Sequence, residues 1–380
     1  MTYAAGRIPY EDDADMKRII VTGAGGSAAV NFIKSLRMAK EKIFVVGTDI
    51  SKEHLELSNA DKKYQFVPVS DQSYLEKLNR LIELEKVEFV HPQPDVEVIF
   101  ISENREKINA ITFLPDKKTI KLCQNKIECN EALLKAGVPV PESHRIKNDD
   151  DLKSAFEQLL PKNSKNSDKN DKLWFRAIKG AGSKASLPIR EPEHAKMWMD
   201  YWVKMKGLGE EDFMVSEFLP GEEFAFQSIW KNGELVTSQA RVRLEYLFGN
   251  ITPSGQTSTP SIAKTVHRND VNEIGTKAVL AVDRNATGVF CVDIKENKSG
   301  VPCVTEINAG RFFTTSNFFS EAGVNMPSMY VKLAYGESIP DVPKYNPLPE
   351  GLYWIRLMDC GHKLVEEGKW TSQKVKVLDL

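Results

Sequence analysis

Asp293 lies in the apolar run Gly288-Val-Phe-Cys-Val-Asp293-Ile, and Glu306 and Asn308 lie in Val304-Thr-Glu306-Ile-Asn308-Ala-Gly-Arg311. Packing alone would place Val or Ile at those three positions. Side chains alternate along a strand, so Cys291 and Asp293 share one face of the first run, and Glu306 and Asn308 share one face of the second. A polar turn ending at Gly300 joins the runs as a hairpin. If the two polar faces coincide, two carboxylates and an amide oxygen converge, with Arg311 just beyond. Such oxygens around a phosphate chain suit Mg²⁺. The competing reading is an edge hairpin whose acids face solvent.

Cations occur upstream. Asn125-Lys126 opens an amphipathic helix that ends at Gly137, and the arm Val138-Pro-Val-Pro141 follows. Arg176 interrupts the apolar strand Leu173–Ile178, where a guanidinium needs a partner, so it is expected to face an anion. The loop Lys179-Gly180-Ala-Gly182-Ser183-Lys184 can fold over phosphates with backbone N–H groups and ammonium charge, although it lacks the P-loop pattern. A flexible hairpin is the alternative there. Arg241 and Arg243 share a face of the strand Leu235–Leu244, which returns from the strong hairpin turn Asn232-Gly233.

The elements that position these residues alternate between strand and helix from the start. Ile19-Ile-Val-Thr22 runs into Gly23-Ala-Gly25-Gly-Ser-Ala28, a helix follows to Met38, and the strand Ile43–Gly47 leads to Asp49. Strands at 65–67, 87–90 and 111–114 and helices at 72–85 and 96–108 continue the pattern, which predicts a doubly wound parallel sheet. The glycines and Asp49 fit a dinucleotide fingerprint, and equally a close packing of strand on helix. His91-Pro-Gln-Pro-Asp95 follows a strand's C-terminal end, so His91 and Asp95 either touch a substrate or form a rigid turn.

Composition narrows the classes. A net charge of -2 over 380 residues argues against a non-specific nucleic-acid or membrane-surface binder. No apolar run approaches the roughly 18 residues of a membrane span. Five cysteines without a Cys-x-x-Cys pair fit neither a zinc site nor a disulfide framework, and suggest the cytoplasm. Residues 1–15 read as a mobile extension without signal-peptide layout.

Taken in order, these features resemble the ATP-grasp superfamily, most closely its single-module ligases similar to half of a carbamoyl-phosphate synthetase large chain. The resemblance spans about 16–340. It implies an α/β fold with a Rossmann-like pre-ATP-grasp domain at 16–114 and a two-subdomain ATP-grasp fold at 115–340, hinged near 217–223, with an extension at 341–380. By that resemblance Lys126 and Arg176 contact nucleotide phosphates, as does the loop with Gly180, Gly182 and Ser183. The backbone of Glu217, Phe218 and Leu219 holds adenine, and Glu223 takes the ribose. Asp293, Glu306 and Asn308 hold Mg²⁺, with Mn²⁺ able to substitute, and Arg311 and Lys179 act on the transferring phosphate. Asn308-Ala-Gly-Arg311 is one residue longer than the common Asn-Pro-Arg. The implied activity is an ADP-forming carbon–nitrogen ligase that joins a small carboxylate to an amine through an acyl phosphate. Arg241, Arg243 and Arg311 are then candidates to hold the carboxylate, with ion pairing as the alternative for the first two. Homodimers are frequent in the family, so a homodimer is an implied assembly. The competing functions are a nicotinamide-dependent oxidoreductase using Gly23–Ala28, and a non-catalytic ATP sensor or partner subunit.

Overall fold

The computed structural model describes residues 16–160, 171–180, 185–257, 259–357 and 373–374. Its first sheet is parallel, with β1 (Lys17–Thr22), β2 (Ile43–Asp49), β3 (Lys62–Gln65) and β4 (Phe89–His91) in the order β3-β2-β1-β4. Gln373–Lys374 adds to its β3 edge. β1 and β2 are apolar without alternation because both faces are covered. Ile20 and Val46 join one core cluster, and their neighbours Ile19, Val21 and Val45 join the other. The strand expected at 111–114 reduces to a single bridge between Phe89 and Ile111. Its apolar residues turn instead toward the C-terminal half, where the Phe113 carbonyl accepts from Tyr330 Oη at 2.9 Å.

The glycine fingerprint is occupied by the chain itself. Gly23 has φ +58°, and a Cβ there would lie 2.4 Å from Pro94. A Cβ on Gly25 would lie 2.4 Å from the main chain of His54. The Gly25 N–H, which a pyrophosphate would need, donates to Asp49 Oδ2 at 3.0 Å. Close packing is therefore what these glycines serve here.

The second sheet is antiparallel, with β5 (Ser143–Ile146), β6 (Leu173–Ala177), β7 (Leu187–Ile189) and β8 (Phe213–Glu217) in the order β5-β8-β6-β7. The third is also antiparallel: β9 (Glu223–Lys231), β10 (Glu234–Tyr246), β11 (Pro260–Thr265), β12 (Gly288–Glu296), β13 (Pro302–Ala309) and β14 (Tyr353–Ile355), in the order β13-β12-β9-β10-β11-β14. Asn232 and Gly233 both take positive φ between β9 and β10, as a two-residue hairpin with right-twisted strands requires. Core packing groups the sheets unevenly. The first and third share both large apolar clusters, whereas the second keeps a separate one around Phe175, Ile189 and Phe213. One small subdomain is thus set on a rigid two-sheet body. Among the described residues no helix is long and apolar enough to cross a membrane.

His91 belongs to that rigid body and is not a substrate contact. It is fully buried, stacked on Phe32 at 4.1 Å, with Nδ1 3.3 Å from Tyr330 Oη and Nε2 3.1 Å from Gln93 Oε1. Burial pulls its pKa from 6.5 down to about 4. The unfolded chain therefore takes up a proton below pH 6.5 that the folded chain refuses. Stability from this group is full above pH 6.5 and is lost as the pH falls toward about 4, by roughly 3 kcal/mol. Urea melts across that window should fall more shallowly for His91→Phe than for the parent chain. Parallel slopes would remove the assignment.

Candidate active site

Hairpin register decides whether the acids converge. In β12 and β13, Asp293 pairs with Glu306 and Cys291 with Asn308, and directly opposed residues share a face. On β9 and β10, Ala225 lies beside Asp293 and pairs with Arg241, while Glu223 lies beside Lys295 and pairs with Arg243. One face of the third sheet is thus a polar layer, and it fronts a cavity of about 130 Å³. A slot of about 70 Å³ adjoins it and shares Trp174, Arg176, Glu223, Gln256 and Thr305 as walls.

Asp293 Oδ1 accepts from Arg243 Nη2 at 2.5 Å, and Oδ2 accepts from Asn308 Nδ2 at 3.2 Å. Burial pushes the Asp293 carboxyl up, Arg243 opposes the shift, and Glu306 adds to it. Burial also works against the Arg243 charge, but Asp293, Tyr246 and Glu223 outweigh it and hold the guanidinium well above its ordinary value. Glu223 accepts from Arg243 Nη1 at 3.1 Å, from Gln256 Nε2 at 2.9 Å, and from Tyr246 Oη. Its carboxyl would rise through burial alone, yet Arg243 and Lys295 bring it below the usual range. Glu306 follows the same pattern: burial raises it, and Lys126, Arg176 and Arg311 more than reverse that.

The cations arrive from separate elements. Asn125 caps the helix Lys126–Lys135, its side chain accepting from the Glu128 N–H, which fixes Lys126 at the first helical position. Lys126 Nζ donates to the Gly180 carbonyl at 2.9 Å and lies 3.8 Å from Glu306. Arg176 reaches across from β6 and donates to the Thr305 carbonyl at 2.8 Å, leaving Nε without a partner among the described residues. Burial lowers the pKa of both cations. Arg311 lines the cavity, donates through Nη2 to Asn308 Oδ1, and forms an ion pair with Asp95.

Several expectations need correction. Lys179 is exposed and outside the cavity walls, whereas its neighbour Gly180 (φ +107°) lines the cavity. Gly182 and Ser183 lie outside the described residues. Arg241 is almost fully buried behind the cavity. It donates to Thr315, and its guanidinium lies 4.9 Å from the centroid of Phe313, so it is not open to a substrate carboxylate. Arg243 does line the cavity, but both of its terminal nitrogens are engaged by Asp293 and Glu223. Glu217, Phe218 and Leu219 line the slot, opposite Pro141. Tyr246 and Gln256 were missed. Bulges between Arg243 and Tyr246 turn the tyrosine onto the arginine's side, against strict alternation.

Among the described residues no group of three His, Cys, Asp or Glu side chains is arranged to hold a metal. The donor set is instead two carboxylates and one amide, all oxygen, as Mg²⁺ prefers. A carboxylate has about four lone-pair sites, so Asp293 retains acceptor capacity beyond Arg243 and Asn308. The residues fit the ion chemically.

Residues 209–351 match the sequence profile described as ATP-grasp in the biosynthetic pathway with Ter operon. No curated protein matches the sequence. Among solved structures, the biotin carboxylase domain of Hydrogenobacter thermophilus 2-oxoglutarate carboxylase, in complex with MgADP, ADP and bicarbonate, superposes with a TM-score of 0.65 at 16% identity. The match covers 89% of this chain and 73% of that one. Carboxyaminoimidazole ribonucleotide synthase from Aspergillus clavatus, complexed with ATP, gives 0.62 at 15% identity, over 87% and 80% of the two chains. L-amino acid ligase from Bacillus licheniformis gives 0.61 at 13%, over 84% and 74%. The chain has the ATP-grasp fold.

Arg243 is the shared counter-ion of two buried acids, and removing one partner of such a group typically costs about 3–5 kcal/mol. Arg243→Met should lower unfolding free energy by that amount in urea titration. Adding Asp293→Asn to it should restore part of the loss, because one uncompensated charge disappears.

Proposed function

We propose that the protein is an ATP-dependent, ADP-forming ligase that activates a small carboxylate as an acyl phosphate and passes it to an amine. The observation that carries this reading is the register that sets Asp293 opposite Glu306 and Cys291 opposite Asn308, because it brings three oxygen donors to a wall shared with phosphate-range cations. The slot, with Pro141, Trp174, Phe218 and Leu219 among its otherwise polar walls, suits a purine base, and Glu223, common to slot and cavity, suits the ribose hydroxyls. The triphosphate would then lie past Arg176 and Lys126 toward Arg311.

Glu306, Asn308 and Asp293 would hold Mg²⁺, whose charge offsets the repulsion between phosphates and an incoming carboxylate. The residues' own contribution is electrostatic and geometric. Lys126 and Arg176 are desolvated cations fixed by backbone carbonyls, so they face developing negative charge without reorganising. Arg311 lies at the cavity end away from the base slot, where the terminal phosphate and the acyl group would meet. No side-chain nucleophile is required. The amine attacks the acyl carbon and inorganic phosphate leaves. The structural neighbours named above include a carboxylase domain crystallised with bicarbonate and an amino acid ligase, which supports a small carboxylate or bicarbonate as the activated group. The carbamoyl-phosphate-synthetase likeness remains a narrower form of the same reading.

The oxidoreductase alternative loses its main support, because the Gly25 N–H and the space beside both glycines are taken by the chain itself. Release of ADP from Mg-ATP should be screened against paired panels of carboxylates and amines. One productive pair is expected. Glu306→Gln should abolish that turnover while the circular dichroism spectrum and thermal midpoint stay close to the parent. Near-normal ADP production by this variant would sink the metal assignment, and ATP binding without turnover for any pair would favour the sensor alternative.

A further inference from the structure

The segment after β13 is gripped by the parallel-sheet unit through three side chains near the C-terminal ends of its strands. Asn31 Nδ2 donates to the Thr314 carbonyl at 2.5 Å, and Gln93 Nε2 donates to the Phe312 carbonyl at 2.9 Å. Asp95, the first residue of the helix Asp95–Asn104, forms an ion pair with Arg311 Nε. The first two bonds hold main-chain atoms and would hold any residue placed there. Asp95 engages a side chain that lines the cavity.

Backbone geometry makes this contact available. Gly310 has φ +88°, and a Cβ there would lie 2.9 Å from Val98, one turn along the helix that Asp95 begins. The extra residue in Asn308-Ala-Gly-Arg311 therefore lets the chain press against the first unit before it turns Arg311 into the cavity. The guanidinium then lies against Asp95 at its Nε edge as an ion pair outside hydrogen-bond geometry, and donates through Nη2 to Asn308 Oδ1. Arg311 belongs to the cavity wall and not to the base slot. Its charge is supported first by Asp95 and then by Glu306, which oppose the burial that works against it.

We propose that Asp95 is a positioning residue that aims Arg311 at the terminal phosphate of a bound nucleoside triphosphate, an inference that rests on the nucleotide reading above. Without the Asp95 charge, the nearest anionic support for the buried guanidinium is Glu306, and the side chain would turn toward it, away from the phosphate. Asp95 thereby discriminates triphosphate from diphosphate, since a diphosphate does not extend to Arg311.

The test needs no knowledge of the acceptor substrate. Calorimetry with Mg²⁺ should compare binding of ADP and of the non-hydrolysable β,γ-imido analogue of ATP to the full chain, Asp95→Asn, Arg311→Gln and the double variant. Asp95→Asn is expected to weaken the triphosphate analogue by roughly tenfold, the scale of coupling between groups in direct contact. ADP affinity should be unchanged, and Asp95→Asn should have no further effect once Arg311 is Gln. Tighter binding of the analogue would overturn the proposal, because it would make Asp95 only a negative charge near a polyanion. Unchanged binding would also overturn it. So would an equal loss for both nucleotides with a lowered thermal midpoint, which would mark a purely structural contact. Failure of the parent chain to bind either nucleotide would refute the nucleotide reading itself, separately from any effect of Asp95.

Discussion

Asp293 is a carboxylate in the middle of a buried sheet face, and it can remain there only because Arg243 lies against it at 2.5 Å. A lone buried charge costs several kcal/mol, so the acid, its cation and the cation's second acid are coupled necessities. Glu223 completes that triad on β9, the strand between the other two, and Tyr246 and Gln256 also donate to it. The arrangement has a chemical consequence. Lys126, Arg176 and Arg311 bring three further cations to this layer, and Glu306 is the acid that acts on all three. These cations line one cavity, as the nucleotide reading proposed above requires.

Two kinds of rigidity support this layer. The first and third sheets share their apolar clusters, so the acids, Arg243 and Arg311 are fixed relative to the parallel-sheet unit. The second sheet has its own cluster and contributes Arg176, with the slot wall continuing from β8 into Phe218 and Leu219. Contacts between these bodies include Arg176 on the Thr305 carbonyl, Lys126 on the carbonyls of Ile178 and Gly180, and Asn130 Nδ2 on Ser143 Oγ. A body that holds the acids and a separately packed body that delivers Arg176 can change their spacing without disturbing either core.

Much of this was legible in the sequence because it depends on period and local chemistry. The parallel strands β1 and β2, the helix capped by Asn125, the Asn232-Gly233 turn and the acid hairpin all follow from short-range rules. What failed depends on neighbours distant in the chain. The run at 111–114 has strand composition, yet its burial is supplied by Tyr330 and the C-terminal half. Arg241 and Arg243 share a face by alternation, but only the structure reveals that Phe313 lies against both, Thr315 engages the first and the second lines the cavity. Tyr246 reaches Glu223 only because bulges break the alternation that a sequence reading must assume.

The glycine fingerprint is the most instructive case, because its pattern is real and its usual ligand site is filled. In an open parallel sheet the C-terminal strand ends are where ligands collect. Here that edge receives the chain's own 311–314 segment, through Asn31, Gln93 and Asp95, while Pro94 and His54 occupy the space beside the glycines. The same physical features that would seat a cofactor, close backbone approach and polar groups at strand ends, instead seat the 311–314 segment of the neighbouring unit. That explains why the parallel unit cannot be treated as an independent nucleotide-binding domain: its ligand edge supports the segment that carries Arg311, Phe313 and Thr314 to the cavity wall.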